Sequence, residues 1–137
     1  MREHLHSTAA GKAFLAALPR EEVDTIIDQR GLKRFTRNTI TDQERLHNEL
    51  ERIRAHGFAF DDREQFDGVR CVATTITADS GDLLGAISIS APIERMDDHR
   101  FRDELPELLR NVAQIIKRVD EYRFRHELPC ISRTLPK

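Results

Sequence analysis

The sequence predicts an α/β (α+β) fold: an antiparallel sheet packed by helices, with a long C-terminal helix. Two observations carry that expectation. The apolar period is 3.6 in the N-terminal part of the chain, becomes 2 from Phe58 to Ser90, and returns to 3.6 from Asp97. The two longest period-2 runs flank "DSGD", a turn signature that joins them as a hairpin.

At 137 residues the chain has the length of one domain. Apolar residues make up 39%, charged residues 34%, and the formal net charge is -2, so no global electrostatic footprint for nucleic acid or membrane is present. No apolar run approaches the roughly 20 residues that span a bilayer. "MREHLHSTAAGK" lacks the apolar segment of a secretory signal. Two cysteines, Cys71 and Cys130, are too few for a disulfide framework, which makes a reduced, cytoplasmic location the expectation.

The first helix follows Ser7 or Thr8 as cap and carries Ala10, Phe14, Leu15 and Leu18. Pro19 occupies the place of a first helical residue in the second, which aligns Val23, Ile26 and Ile27 and stops at Gly31. "TDQE" at Thr41 to Glu44 reads as a capping box for a third helix burying Leu46, Leu50 and Ile53 and ending at Gly57. Strands are expected at 58–61, 69–78 and 83–90. The final helix carries Phe101, Leu105, Leu108, Leu109, Val112, Ile115, Ile116, Val119 and Tyr122. A break is expected before Pro106, which cannot donate to the ladder. After Arg125 the pattern dissolves into "HELPCISRTLPK", expected to be a mobile tail.

If Asp79 to Asp82 form the hairpin loop, Ala78 pairs with Leu83, Thr75 faces Ala86, Ala73 faces Ser88 and Cys71 faces Ser90. The period of 2 then sets these six small residues on one face and Val72, Thr74, Ile76, Ile87 and Ile89 on the other. A shallow face of alanines, serines and a thiol has three readings: a solvated surface, a tight helix–sheet contact, or the floor of a pocket for a small polar ligand. Asp61 falls on the same face, at its rim, if Ala59 does. Backbone N–H groups near Ala9, Ala10 and Gly11 begin a helix and form an anion site, unless those alanines serve only packing.

"LHSTAAGKAFLAALP", "GLKRFTRNTIT", "RIRAHGFAFDDREQFDGVRCVA" and "GAISISAPIERM" occur in an order and spacing that resemble the effector-binding domain of IclR-type transcription regulators. The likeness is close from Leu5 to Met96 and looser to about Phe124. It implies a GAF-like domain over residues 1–125 that binds a small effector and reports to a winged helix-turn-helix. In members sensing small 2-oxo acids, the ligand positions match Ala9, Ala10, Asp61, Cys71, Ser88 and Ser90 here, with Ala9 standing where some members have Gly. Partners implied are a small organic acid and further copies of the chain, as a dimer or tetramer; DNA enters only through a domain missing from this sequence. No membrane partner and no cofactor are expected.

The family places that DNA-binding domain, a linker helix and the leading strands before "LHSTAAGKA", whereas Met1 stands four residues before Leu5. An N-terminally truncated domain is therefore expected, its sheet left with an open edge that invites pairing. The rival expectation is an oligomerisation remnant that no longer senses a ligand.

Enzymatic readings fare worse. Cys71 lacks a histidine base on a neighbouring strand. Asp61 and Asp62 point to opposite faces, so they cannot act as a pair. His4 and His6 lack a third metal ligand, and "AAGKAF" lacks the first Gly and the Ser or Thr of a phosphate loop. Lys117, Arg118, Arg123 and Arg125, interleaved with Asp120 and Glu121, read as a solvated helix face.

Overall fold

The computed structural model of the chain describes residues 4–125, with side chains to residue 121. The tail expected from residue 126 lies outside them. Helix α1 (Ala9–Ala16) is capped by Thr8, whose Oγ1 accepts the Gly11 N–H at 3.1 Å. Gly11 is required here: a Cβ would stand 2.5 Å from the Leu5 carbonyl oxygen. Helix α2 (Arg20–Arg30) begins one residue later than expected. Pro19 is its extended cap rather than its first helical residue, and its carbonyl accepts the N–H groups of Glu22 and Val23. Gly31, at φ 73°, ends it.

Helix α3 (Gln43–His56) buries Leu46, Leu50 and Ile53 as expected, together with His47. Its cap is Asp42, not Thr41. The Asp42 carboxylate accepts the Arg45 N–H at 2.9 Å, where its charge also meets the positive end of the helix dipole. The Thr41 hydroxyl instead accepts from Arg34.

Strands β1 (Ala59–Asp62), β2 (Val69–Thr77) and β3 (Leu83–Pro92) form an antiparallel sheet in the order β1-β2-β3. The expected pairs Cys71–Ser90, Ala73–Ser88 and Thr75–Ala86 are present. The register departs from expectation at the turn. Ile76 faces Gly85 but Thr77 faces Leu83, so Leu84 is the extra residue of a bulge and Ala78 has no partner in the ladder. Ala78 instead closes the turn, donating to the Asp82 carbonyl at 2.8 Å and accepting from Gly81 at 2.9 Å.

Helix α4 (Leu105–Arg125) is not broken before Pro106. A π-helical stretch, Arg100–Glu104, precedes it, and the Leu105 N–H reaches back five residues to the Arg100 carbonyl. This wider turn absorbs the donor that Pro106 lacks, and the chain passes through without a break.

Each face of the sheet has its own core. On one, Ala59, Cys71 and Ala73 meet Ala9, Ala13 and Ala16 of α1, backed by Leu46, Leu50 and Ile53. On the other, Val72, Ile87 and Ile89 meet Met96, Phe101, Leu105 and Leu109. The apolar stripe of α4 thus splits: Leu105 and Leu109 are buried, while Leu108, Ile115, Ile116 and Val119 are exposed.

Candidate functional site

Two rows of small residues cross the sheet on the α1 side. Asp61 pairs with Cys71 and Cys71 with Ser90; one step along, Ala59 pairs with Ala73 and Ala73 with Ser88. The β1–β2 end of both rows is covered. Ala9 packs with Ala59, Cys71 and Ala73, and Ala10 lies half-buried against them. At the β3 end, Ala86, Ser88 and Ser90 are exposed. The small residues therefore allow close helix approach at one end and leave an open shelf of hydroxyls at the other.

The start of α1 lies beside the covered end. The Ala9 and Ala10 amides are outside the intrahelical ladder, whose first bond runs from the Lys12 N–H to the Thr8 carbonyl at 2.9 Å. Gly11 is not part of this pair of donors, because the Thr8 hydroxyl takes its N–H.

Asp61 is buried rather than at a rim, only 4% exposed. Its carboxylate accepts the Glu64 N–H at 2.7 Å and also the Gln65 N–H. Burial pushes its carboxyl up to about 6; the nearby Glu64 charge adds to the rise, and Lys12 opposes it. Asp62 turns to the other face and holds Arg63 at 3.0 Å and Arg70 at 2.9 Å, as strand alternation requires.

Burial also pushes the Cys71 thiol up, aided by the Asp61 charge and opposed by hydrogen bonds with Ser90 and Ser88. A thiol so held is a poor nucleophile. In a Cys130→Ser chain, Cys71 is expected to react with iodoacetamide at pH 8 about tenfold more slowly than a free cysteine peptide, read by mass spectrometry. An equal rate would contradict the buried, protonated thiol.

A polar network beneath Asp61 escaped the sequence reading. Lys12 is fully buried, and its Nζ donates to Glu64 at 2.7 Å, Glu49 at 3.0 Å and the Phe60 carbonyl at 2.6 Å. It ties α1 to α3 and to the loop after β1. Ser7, also fully buried, is hydrogen-bonded to the Gln65 side chain. Across the same loop, Thr36 and Thr39 donate to the Arg63 and Glu64 carbonyls at 2.6 Å each, and Asn38 donates to the Asp62 carbonyl at 2.9 Å. The segment carrying Asp61 is thereby fixed from three sides.

Two cavities among the described residues involve none of the six expected residues. One of 260 Å³ lies among Leu5, Leu15, Ile26 and Ile27, and another of 520 Å³ lies between α3 and the loops at 37–40 and 62–64. His6 donates from Nε2 to the Lys33 carbonyl at 2.8 Å, burial lowers its basicity, and His4 packs against Phe35. Among the described residues no cluster of three or more metal-ligating side chains occurs, and no helix is long and apolar enough to cross a membrane.

A three-stranded antiparallel sheet with helices on both faces carries an open row of hydroxyls and a buried carboxylate beside a helix start, and defines a domain of mixed α and β structure. The profile of the family described as bacterial transcriptional regulator IclR C-terminal matches residues 1–118, and the chain belongs to that family. It is 41% identical over 112 residues to the HTH-type transcriptional repressor AllR of Klebsiella pneumoniae and equally so to AllR of Escherichia coli K12. Each match takes in 82% of this chain but 41% of the repressor, so the chain spans about two fifths of those relatives' length. The C-terminal domain of the E. coli regulator KdgR superposes with a TM-score of 0.76 at 36% identity, covering 85% of this chain and 71% of that one. The inducer-binding domain of an Acinetobacter PobR double mutant, solved with 3-hydroxybenzoic acid, gives 0.80 at 29% identity, covering 84% and 66%. The fold is thus the GAF-like one of IclR C-terminal domains, and the relatives are transcriptional regulators, not enzymes.

Proposed function

We propose that residues 1–125 bind a small carboxylic acid through Ala9, Ala10, Asp61, Cys71, Ser88 and Ser90, and that the acid modulates DNA binding by a helix-turn-helix domain lying outside this sequence. The observation that carries this reading is the row Asp61–Cys71–Ser90 running across three strands beside the first turn of α1. The Ala9 and Ala10 amides receive the carboxylate, a ready anion site at a helix start. Ser90 and Ser88 donate from the open shelf. Asp61 accepts from a hydroxyl or hydrated carbonyl, and Cys71 shapes the wall between them.

The bound hydroxy acid in the PobR domain supports the carboxylic-acid class. Exposed Leu108, Ile115, Ile116 and Val119 on α4, with β3 as a sheet edge, support self-association as a dimer or tetramer. An effector that prefers one arrangement of the assembly would then shift its hold on DNA.

The test is a thermal-unfolding series on the full chain against glyoxylate, pyruvate and aromatic hydroxy acids. One class of acid is expected to raise the midpoint, since only a native-state ligand does so. Asp61→Ala is expected to unfold cooperatively, with that rise gone. A rise of equal size in Asp61→Ala rejects the pocket. A cooperative transition that no acid moves favours the oligomerisation remnant.

A further inference from the structure

The 520 Å³ cleft between α3 and the loops at 37–40 and 62–64 lies outside the pocket proposed above, and its walls carry Arg37, Arg45, Arg52 and Arg63. Three carboxylates also line it, and each is already held by a cation. Glu49 and Glu64 share the buried Lys12, and Asp62 is bound by Arg63 and Arg70. Arg52 reaches Glu49 only through an exposed contact of 3.3 Å. Among the described residues, no carboxylate lies within ion-pair distance of the exposed Arg37 and Arg45 side chains. The cleft therefore presents more guanidinium than its own carboxylates neutralise.

The walls are tied together by hydrogen bonds. Arg34 braces the first loop through the Thr36 and Arg37 carbonyls at 3.0 Å each, and Thr36, Asn38 and Thr39 fasten that loop to the second. Arg63 sits at φ 59°, a left-handed conformation rare for a residue with a Cβ. Such strain persists only where surrounding bonds enforce it, and it gathers at ligand clamps. Here the Thr36 hydroxyl on the Arg63 carbonyl and the Val69 carbonyl on its N–H enforce it.

We propose that this cleft is a second anion site, separate from the effector pocket, for a small ligand bearing phosphate groups. Guanidinium forks match phosphate oxygens two at a time, and several converge here on one concave space. A small molecule fits better than nucleic acid: the space is a cleft, and the chain's net charge is -2.

Inorganic pyrophosphate is the probe, titrated into the isotope-labelled full chain and followed by amide resonances, with sodium chloride at matched ionic strength as control. Saturable shifts at Arg37, Asn38, Arg45 and Arg63 are expected. The double variant Arg37→Gln/Arg45→Gln, altered only at exposed side chains, is expected to keep the wild-type unfolding midpoint and bind pyrophosphate about tenfold more weakly. Its midpoint rise with the effector acid is expected to persist. Shifts matched by chloride, shifts spread over all basic residues, or undiminished binding in the double variant would each overturn the site. So would a preference for duplex DNA over pyrophosphate at the same ionic strength.

Discussion

Lys12→Met is expected to remove a large part of this domain's stability at pH 7. The ammonium has three donors, and all three are used, on Glu64, Glu49 and the Phe60 carbonyl. Methionine fills much the same volume but leaves Glu64, 7% exposed, as an uncompensated buried charge. Breaking a buried pair from one side costs about 3–5 kcal/mol, against a total of roughly 5–15 kcal/mol for a natural domain. Urea unfolding reads the loss.

Two controls separate lost charge from lost packing. Adding Glu64→Met to Lys12→Met removes the stranded carboxylate, and most of the stability is expected to return, because an apolar pair can replace a buried ion pair. Acidification acts in the same direction. Burial already raises the Glu64 carboxyl above its usual range despite Lys12, and without the ammonium it rises further. Lowering the pH neutralises it, so the gap between Lys12→Met and the parent is expected to narrow. A small, pH-independent loss would show that Lys12 contributes only its methylene stem.

The same residue marks the limit of what the sequence could tell. Ala9, Lys12, Ala13 and Ala16 follow the i, i+3, i+4, i+7 spacing of one helix face, so a charge on a buried stripe was visible in principle. Its partners were not. Glu49 and Glu64 lie 37 and 52 residues away, beyond the reach of any local pattern. The sheet face was legible because strand alternation and a short turn set register locally: three cross-strand pairs follow from the hairpin alone. The bulge at Leu84 changed the pairing next to the loop and left the rows beyond it intact. Pro106 misled because a π-turn, a tertiary accommodation, supplies what a proline takes from a helix. Asp61, Cys71, Ser88 and Ser90 lie on paired rows of one sheet face as read, yet the burial of Asp61 depends on the loop at 62–65 folding over it, which no local pattern encodes.

Asp61→Asn is expected to make the domain more stable and a worse binder. In the folded chain burial raises the Asp61 carboxyl from 3.8 to about 6, so the ionised form is disfavoured by folding. Between those values the native state holds more protons than the unfolded chain, and stability falls as pH rises from about 4 to about 6. Above that window the whole penalty is present, on the order of 3 kcal/mol for a shift of this size. Asparagine keeps an oxygen for the Glu64 and Gln65 N–H groups but carries no charge to desolvate. At pH 7 it is expected to raise the unfolding midpoint, while at pH 4, where the aspartate is largely protonated, the two chains are expected to converge. Binding moves the other way. If the ionised carboxylate accepts from the effector's hydroxyl, affinity falls as pH drops below about 6 in the parent and stays low at every pH in the variant, by roughly tenfold or more at pH 7. A variant that is less stable than its parent at pH 7 would mean that Asp61 is held by interactions stronger than its desolvation. A variant that binds the acid as tightly would remove Asp61 from the site while leaving the fold as described. The opposing signs are the point of the experiment: a residue kept only for packing would not lower stability and raise affinity through the same charge.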